Sequence, residues 1–342
     1  VEAIQSHRPE KALAAARCTL AEHGLPPGGA TPSPVPNPEP SRGLAMNADV
    51  KTLRALLRVT ADYLQEKGVE SARVNAERLL ADVLGLSRIE LFMQHDRPVL
   101  GAELDRYREL VRRRAGGEPL QQILGETEFF SRTFKVETGV CIPRPETERL
   151  VEIARGLVGP GDRNLLEPVA VEIGCGAGVI AVSLALEIPR LAVWATDIAP
   201  AAVDLARRNA HRHGVETRVT VLAGSRFDPL PSQLRGEVDL LVSNPPYIRS
   251  AEIAGLSREV AEHDPRAALD GGPDGLVFYR ALASAVGHWL RPGGNLAVEI
   301  GADQGEDVPA ILAASGLVDL DVHKDYAGLD RVVTGRRPEE AD

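Results

Sequence analysis

The sequence predicts an α/β protein in which a small helical bundle precedes a doubly wound, mostly parallel sheet. From Glu146 onward, short apolar runs alternate with helical patterns, as strands and crossover helices do in such a sheet. Between about residues 50 and 124, by contrast, apolar residues recur at helical spacing. At 342 residues the chain is long enough for two domains with separate cores.

The first segment, residues 1–46, is predicted to be an extended or disordered tail. Prolines occupy alternate positions from Pro32 to Pro40, and such a segment cannot build a core. Met46 is the first methionine and stands just before the first helical pattern. A start codon placed too early is therefore an open interpretation of this tail.

Residues 47–124 are predicted to form a helical domain. Its first helix is indicated by apolar residues on one face, namely Leu53, Leu56, Leu57, Ala61 and Leu64. Gly68 is expected to end that helix, and Ser71 and Ser87 are expected to cap the next ones. The basic run Arg112 to Arg114 is interpreted as a solvated last helical turn that the helix dipole favours. A helical domain in this place commonly selects the partner, although a purely packing role is the alternative.

The rest of the chain is predicted to be a linker and a sheet domain. Alternating residues from Glu128 to Val136 favour a β-hairpin within a linker of residues 125–145. Residues 146–338 then form the sheet domain, which includes an antiparallel closing strand. Its strands are expected at about 168–173, 191–196, 218–222, 238–242 and 295–300, with a closing pair near 317–322 and 331–336.

The tetrapeptide Asn244-Pro245-Pro246-Tyr247 is the most informative motif. It follows the apolar run Val238 to Val242, and ligands of open α/β sheets bind just beyond the carboxyl ends of such strands. The asparagine side chain and a proline carbonyl both accept hydrogen bonds, and consecutive prolines hold the backbone rigid. The motif can therefore hold a planar –NH2 group, with Tyr247 as a stacking face. Considered alone, the motif could equally be a rigid turn from the strand into the next loop, with Tyr247 packed in the core.

A glycine-rich loop upstream makes the functional interpretation stronger. An apolar strand runs into a G-x-G-x-G pattern and then into a helix, so backbone N–H groups can approach a ligand near a helix N-terminus. An acidic residue stands two positions before the first glycine. The residues assigned to this loop as cofactor-binding are Glu172, Gly174, Cys175, Gly176, Ala177 and Gly178.

A second strand ends in Asp197, about 20 residues further on, where a carboxylate can accept hydrogen bonds from ribose hydroxyls. An adenosine-type ligand is thus favoured. NAD is the competing cofactor, but its usual pattern G-x-G-x-x-G places the third glycine one position later. The spacing and the tetrapeptide together point to S-adenosylmethionine.

Composition argues against several other classes of protein. A net charge of −10 argues against a protein that grips duplex nucleic acid, and no apolar run approaches the ~18 residues that span a bilayer. Cys18, Cys141 and Cys175 lie far apart, and the eight histidines do not cluster at ligand spacing. We therefore expect no disulfide framework and no metal site, and a reducing cytoplasm is the expected compartment.

Five motifs in this order resemble the PrmC/HemK family, the glutamine-N5 methyltransferases of peptide chain release factors. The resemblance covers roughly residues 50–337, including the helical domain. The motifs are Ile142 to Glu148, Glu172 to Gly178, Asn244 to Ile248, Pro265 to Gly275 and Asp325 to Val333.

The resemblance implies a Rossmann-like class I methyltransferase sheet that binds S-adenosylmethionine through the glycine loop and Asp197. It implies that Asn244, Pro245, Pro246 and Tyr247 bind and orient the glutamine of the Gly-Gly-Gln loop of class I release factors, free or bound to the ribosome. Asn244 also borders the expected cofactor. No membrane and no sequence-specific nucleic acid is expected as a partner. In the loop after the third strand, family members often carry an acidic residue toward adenine. Here Ser225 stands at that position, and Arg226 stands where an aromatic or apolar side chain covers the ring; both are assigned as cofactor-binding residues.

The expected mechanism relies on positioning, because the lone pair of a carboxamide nitrogen is delocalised and the nitrogen is a poor nucleophile. Asn244 and the Pro245 carbonyl are expected to accept its two N–H bonds, and no general base is proposed. Two carboxylates, Glu146 and Glu299, could line the pocket. The favoured interpretation pairs them with Arg144 or Arg331.

Two other functions remain open from the sequence. Adenine-N6 methyltransferases of DNA or RNA use similar tetrapeptides, because a flipped adenine also presents a planar, weakly nucleophilic amine. A non-catalytic cofactor-binding module of the translation machinery is the other alternative.

Overall fold

The computed structural model describes residues 52–158 and 167–339, so the predicted tail lies outside the described residues. In the described part of the helical domain, residues 53, 56 and 64 of the first helix are fully buried, and Gly68 follows its end with a φ of 77°. The helices of this domain are α1 (Leu53–Glu66), α2 (Ala72–Leu84), α3 (Arg88–Met93), α4 (Gly101–Ala115) and α5 (Leu120–Leu124).

The two predicted helix caps differ in outcome. Ser87 caps α3 as expected, in a reciprocal capping box with Glu90. The cap expected at Ser71 is wrong, because Ser71 is left-handed at φ 50° and its side chain makes no capping bond. A capping side chain requires an extended backbone at that position. Instead, the Asn75 side chain donates back to the carbonyl groups of Glu70 and Ser71.

The expectation of a solvated basic turn at the end of α4 is wrong for Arg114. Only 4 % of its side chain is exposed. Its guanidinium donates to Asn75 Oδ1 at 2.7 Å and to the Glu118 carbonyl at 3.1 Å, and it forms an ion pair with Glu259 of the sheet domain. A buried guanidinium needs such partners because burial removes its hydration. Arg114 thus joins the helical domain to the sheet domain.

A β-hairpin follows, as predicted, with antiparallel strands β1 (Glu126–Phe129) and β2 (Arg132–Lys135). Phe129 and Phe134 are buried and meet edge to face, with ring centroids 6.1 Å apart. Asn209, buried in the sheet domain, exchanges hydrogen bonds with the backbone of Lys135 and donates to the Ala177 carbonyl. The hairpin is thereby fixed to the glycine loop.

The doubly wound sheet is confirmed, and within the described residues it has seven strands in the order β5-β4-β3-β6-β7-β9-β8. All neighbours are parallel except that β9 runs antiparallel to β7 and β8, which confirms the antiparallel closing strand. The strands are β3 (Val169–Ile173), β4 (Ala192–Asp197), β5 (Val219–Ala223), β6 (Val238–Ser243), β7 (Leu290–Glu299), β8 (Val318–Lys324) and β9 (Asp330–Arg336).

Helices cover both faces of the sheet. The central strand β6 is buried along its whole length, as its apolar sequence predicts. One core cluster contains α6, α7 and α8, and the other contains α11 and α12. The helices of this domain are α6 (Glu148–Leu157), α7 (Val179–Glu187), α8 (Pro200–Arg212), α9 (Arg258–His263), α10 (Arg266–Leu269), α11 (Val277–Trp289) and α12 (Asp307–Ala314).

The chain winds in two directions from the centre of this sheet, with β4 and β5 to one side of β3 and β6 and β7 to the other. A ligand crevice is expected where the direction reverses, beyond the carboxyl ends of β3 and β6. No helix among the described residues is long and apolar enough to cross a bilayer.

Candidate active site

A cavity of about 620 Å³ lies at the carboxyl ends of β3, β4 and β6, where the sheet reverses direction. The structure brings nearly all of the sequence-predicted site residues to its wall. Gly178 is the exception. The predicted residues that border it are Glu172, Gly174, Cys175, Gly176, Ala177, Asp197, Ser225, Arg226, Asn244, Pro245, Pro246 and Tyr247.

Gly178 stands behind the loop, where α7 packs against α8. Its φ is 78°, and a Cβ added there would lie 2.8 Å from the Ala206 Cβ. The third glycine of the pattern therefore serves the close approach of two helices rather than contact with a ligand. At Gly174 and Gly176, by contrast, an added Cβ would meet nothing within 4 Å, so these positions open onto free space.

Glu172 is fully buried at the end of β3 and supports the start of α7. Its Oε2 accepts the Ala181 N–H at 2.9 Å, in the first turn of that helix, whereas its Oε1 has no partner. Burial raises the pKa of this carboxyl to about 8. Glu172 thus holds the helix whose N-terminus faces the cavity.

Asp197 ends β4 and fastens two turns of the cavity wall. One carboxylate oxygen accepts the Gly176 N–H at 2.8 Å, and the other accepts the Ala199 N–H at 2.9 Å. Each oxygen can accept more than one hydrogen bond, so the carboxylate retains acceptor capacity toward the cavity. The glycine loop and the turn into α8 are therefore held in one geometry around it.

Ser225 and Arg226 border the same end of the cavity, after β5. Arg226 has a left-handed backbone at φ 49°, and its carbonyl accepts the Thr196 hydroxyl at 2.8 Å. Its side chain is exposed at the rim.

On the opposite side, the Asn244 side chain is held by a residue from the start of the domain. Its Nδ2 donates to the Thr147 Oγ1 at 3.0 Å. Thr147 is buried in the short 3-10 segment Pro145–Thr147 that precedes α6. Because the amide nitrogen is used there, the carbonyl oxygen of Asn244 remains to accept a hydrogen bond from a ligand.

Tyr247 reaches behind this amide to a second buried carboxyl. Its hydroxyl donates to Glu299 Oε1 at 3.4 Å. Glu299 is the last residue of β7 and only 1 % exposed, and its Oε2 is buried without a partner of regular geometry. Burial raises the pKa of Glu299 to about 7, a shift that the nearby Thr147 hydroxyl and the positive charge of Arg331 partly oppose. Burial also raises the pKa of Tyr247.

The loop that contains α9 and α10 braces the tetrapeptide from outside. At the end of α10, the Leu269 carbonyl accepts the Ile248 N–H at 3.0 Å. Gln304, which lies just before α12, also holds this backbone, because its side chain donates to the Tyr247 carbonyl at 3.2 Å. A Cβ at Gly275 would lie 2.5 Å from that same carbonyl oxygen, so only glycine permits this packing. The motif from Pro265 to Gly275 thus fixes the backbone of the site.

The expected pairing of Glu146 and Glu299 with arginines is wrong. Arg144 instead forms an ion pair with the buried Asp264. Arg331 donates to Asp325 at 3.2 Å and to the Ile300 carbonyl at 3.1 Å. Within the described residues neither arginine makes an ion pair with either glutamate, and neither glutamate borders the cavity.

No sequence signal points to a role for Thr147, although it lies in the motif from Ile142 to Glu148. Its contact with Asn244 joins positions 97 residues apart, and no spacing rule connects them. Among the described residues, no cluster of three or more His, Cys, Asp or Glu side chains could hold a metal ion.

The residues of the cavity fit S-adenosylmethionine. The open positions at Gly174 and Gly176 leave room for a ligand against the backbone, and Asp197 offers acceptors for ribose hydroxyls. When bound, this cofactor supplies an electrophilic methyl group on a sulfonium sulfur.

Two family models match the chain, one described as the PrmC N-terminal domain over residues 55–125 and one as the methyltransferase small domain over residues 162–298. A release factor glutamine methyltransferase of Geobacter sulfurreducens is 46% identical over 289 residues, which cover 84% of this chain and 98% of that protein. Proteins of the same name from Moorella thermoacetica and Chlorobaculum tepidum are 43% and 41% identical. They cover 84% and 81% of this chain, and 100% and 94% of their own lengths.

Proposed function

Because the chain belongs to the release factor glutamine methyltransferases, we propose that it methylates the side-chain nitrogen N5 of a release factor glutamine. The methyl donor is S-adenosylmethionine, and the acceptor is the glutamine of the Gly-Gly-Gln motif of class I release factors. One observation carries the proposal. The Asn244 amide stands at the sheet edge beside the glycine loop, with its nitrogen bound to Thr147 and its oxygen left for a ligand.

The chain's contribution to the reaction is to orient the amide nitrogen. The Asn244 oxygen and the Pro245 carbonyl accept the two N–H bonds of the glutamine side chain, which holds the nitrogen facing the methyl donor. Positioning of this kind accounts for roughly 7–11 kcal/mol of barrier in favourable intramolecular cases. The rigid prolines and the brace at Gly275 keep the acceptors in place before the substrate arrives.

No side chain is required as a general base. The new N–C bond forms as the C–S bond of the donor breaks, and the surplus proton on nitrogen leaves to solvent afterwards. Asn244 and the Pro245 carbonyl, as neutral acceptors, stabilise the positive charge that develops on the N–H groups.

We also propose that the helical domain contacts the release factor. Its Arg114 is tied to Glu259 in α9, within the loop that braces the tetrapeptide, so a protein bound to this domain lies next to the amide site. Helix α3 exposes three apolar side chains that a partner could cover, namely Ile89, Phe92 and Met93, which are 73%, 82% and 73% exposed.

The test is to incubate the purified chain with labelled S-adenosylmethionine and separate acceptors. The acceptors are each class I release factor, free and ribosome-bound, the same factors with the motif glutamine replaced by glutamate, and adenine-containing oligonucleotides. We expect one methyl group on the glutamine side chain, located by peptide mapping, and none on the glutamate variant. Label on the oligonucleotides alone would instead favour adenine-N6 methylation, and label on no acceptor would favour a non-catalytic module.

A further inference from the structure

Helix α9 has a carboxylate at each end, and each carboxylate is held by an arginine from another part of the chain. Glu259, in its first turn, forms an ion pair with Arg114 of the helical domain. Asp264, which directly follows its last residue, forms an ion pair with Arg144 of the linker. Helix α9 thus connects the helical domain to the linker.

The start of α9 is fixed firmly on its helical-domain side. The Arg114 side chain is only 4 % exposed, and it also donates to Asn75 Oδ1 at 2.7 Å and to the Glu118 carbonyl at 3.1 Å. Beside it, a Cβ added at Gly117 would lie 3.3 Å from the Arg258 Nε, so the first residue of α9 also packs against the helical domain. The helical domain therefore sets the position of the start of α9.

The end of α9 is connected to the amide site. The Asp264 side chain is only 1 % exposed; its Oδ1 accepts the Ile142 N–H at 3.2 Å, and its Oδ2 pairs with Arg144. Arg144 directly precedes the short 3-10 segment, where the Thr147 N–H donates to the Arg144 carbonyl at 3.1 Å. The Thr147 hydroxyl in turn accepts from Asn244 Nδ2. A path of hydrogen bonds and short backbone segments thus runs from the helical domain to Asn244.

Neither carboxylate borders the cavity, although their neighbours do. Val260, within α9, and Pro265, just after it, both lie in the cavity wall. A change at Glu259 or Asp264 therefore removes no contact with a ligand. Such a change acts on a ligand only by moving the cavity wall and the Asn244 amide.

We propose that Glu259 and Asp264 are positioning residues, which fasten the helical domain to the segment from Ile142 to Thr147 and so hold the Asn244 amide in place for the substrate. The helical domain is then a part of the active site as well as a surface for a partner. This role rests on the proposed function, because it concerns the amide that receives the glutamine.

The first test removes the charge at each end of α9. Glu259→Gln and Asp264→Asn keep the shape of the side chain and abolish the ion pair. We expect each variant to lose roughly 10- to 100-fold in single-turnover rate, as for a misplaced reacting group. The Kd for S-adenosylmethionine should change little, because the glycine loop is held by Asp197 and not by α9.

Two controls separate positioning from stability. Asp239→Asn matches Asp264→Asn, because Asp239 is also a buried carboxylate that accepts a backbone N–H and pairs with an arginine. Its partners are the Val169 N–H, at 2.8 Å, and Arg291, and it lies near the start of β6, at the opposite end of that strand from the cavity. Glu262→Gln removes an exposed ion pair within α9 itself. We expect both controls to keep the parent rate. Equal losses in the controls, or parent rates in the two test variants, would overturn the proposal.

The double variant tests whether the two ends of α9 act in series. Once one ion pair is lost, α9 no longer transmits the position of the helical domain, so loss of the other pair has little further effect. We expect the variant with both Glu259→Gln and Asp264→Asn to be no slower than the slower single variant. Losses that multiply would show that the two ends act independently and would overturn the connection through α9.

The closing experiment needs no release factor, which separates failure of this connection from failure of the proposed function. Hydrogen exchange in the full chain is measured at the Thr147 N–H, which lies in the segment that Asp264 holds. We expect Glu259→Gln to speed this exchange several-fold and Glu262→Gln to leave it unchanged. Unchanged exchange in Glu259→Gln would overturn the connection even if the chain methylates release factors. Faster exchange, in a chain whose parent methylates no release factor, would support the connection and refute the proposed function.

Discussion

The two halves of the cavity are each backed by a buried glutamate, but the two glutamates are connected differently. Glu172, behind the glycine loop, accepts a backbone N–H from Ala181. Glu299, behind the amide site, accepts a hydrogen bond from the side-chain hydroxyl of Tyr247. A backbone N–H group can only donate a hydrogen bond and so fixes a loop. A hydroxyl group can donate or accept, so its hydrogen bond can reverse direction. The cofactor half is thus held by hydrogen bonds to the backbone, and the amide half by hydrogen bonds between side chains.

The span of the contacts differs in the same way. Asp197 bonds Gly176 and Ala199, which are 21 and 2 residues away, so the cofactor half is built from neighbouring turns of one βαβ unit. Asn244 bonds Thr147 across 97 residues, and Tyr247 bonds Glu299 across 52. We infer that the two halves can be perturbed separately.

The largest effect is expected from Asn244→Ala. It removes one of the two acceptors for the substrate amide, and we expect the single-turnover rate to fall by about 10³-fold, the upper range for loss of one preorganised polar group. Cofactor affinity should change little, as calorimetry would show. Asn295→Ala, which truncates another partly buried asparagine of the sheet, is the control. A near-normal rate in Asn244→Ala would show that Asn244 does not position the substrate amide.

The converse effect is expected from Asp197→Ala. The loss of a charged acceptor worth about 1.5–3 kcal/mol should raise the Kd for S-adenosylmethionine on the order of 10- to 100-fold. At saturating cofactor the single-turnover rate should remain close to that of the parent chain. Asp204→Ala, which removes an exposed carboxylate from α8, is the control. An unchanged Kd in Asp197→Ala would mean that ribose lies elsewhere.

Glu172→Gln is expected to change the free energy of unfolding of the chain. The folded chain holds the Glu172 proton up to about pH 8, whereas the unfolded chain releases it near the ordinary value of 4.5. Over that window the unfolded state binds fewer protons, so the parent chain loses stability as the pH rises. Glutamine cannot ionise, and we expect the variant to be more stable at pH 8 by on the order of 1–3 kcal/mol but not at pH 4.5. Urea unfolding measures this, with the exposed Glu237→Gln as control; equal stability of both chains at pH 8 would refute it.

The smallest effect is expected from Phe92→Ala on α3. If the helical domain contacts the release factor, loss of this exposed ring should raise KM for the release factor by about 3- to 10-fold, the usual range for a contact worth roughly 1 kcal/mol. Neither kcat nor cofactor affinity should change. Val318→Ala, at an exposed apolar residue of β8, is the matched control. An unchanged KM would place the docking surface outside α3.

The sequence predicts the sheet and the cofactor half well because both depend on local patterns. Apolar runs identify the strands to within a few residues, except that β7 begins at Leu290 rather than near 295. Its residues Pro292, Gly293 and Gly294 resemble a turn, yet they continue the strand beyond an irregular register with β6. The carboxyl ends of parallel strands meet at one edge, so Asp197 and Asn244 could be brought together from the sequence alone.

The sequence does not predict the partners that come from distant segments. Thr147 is one polar residue in a proline-rich turn, and only the folded sheet places it against Asn244. Arg114 has the sequence environment of a solvated helix end, but the sheet domain covers it and supplies Glu259. In both cases tertiary packing overrides a local preference.

A double-variant cycle shows whether the two halves of the cavity act independently. Single-turnover rates at saturating cofactor and cofactor Kd values are measured for Asn244→Ala, Asp197→Ala and the double variant. We expect the double variant to show the rate of Asn244→Ala and the Kd of Asp197→Ala, with a coupling free energy below about 0.5 kcal/mol. A coupling well above that value would show that Asn244 and Asp197 act on the same ligand group and would contradict the division of the cavity.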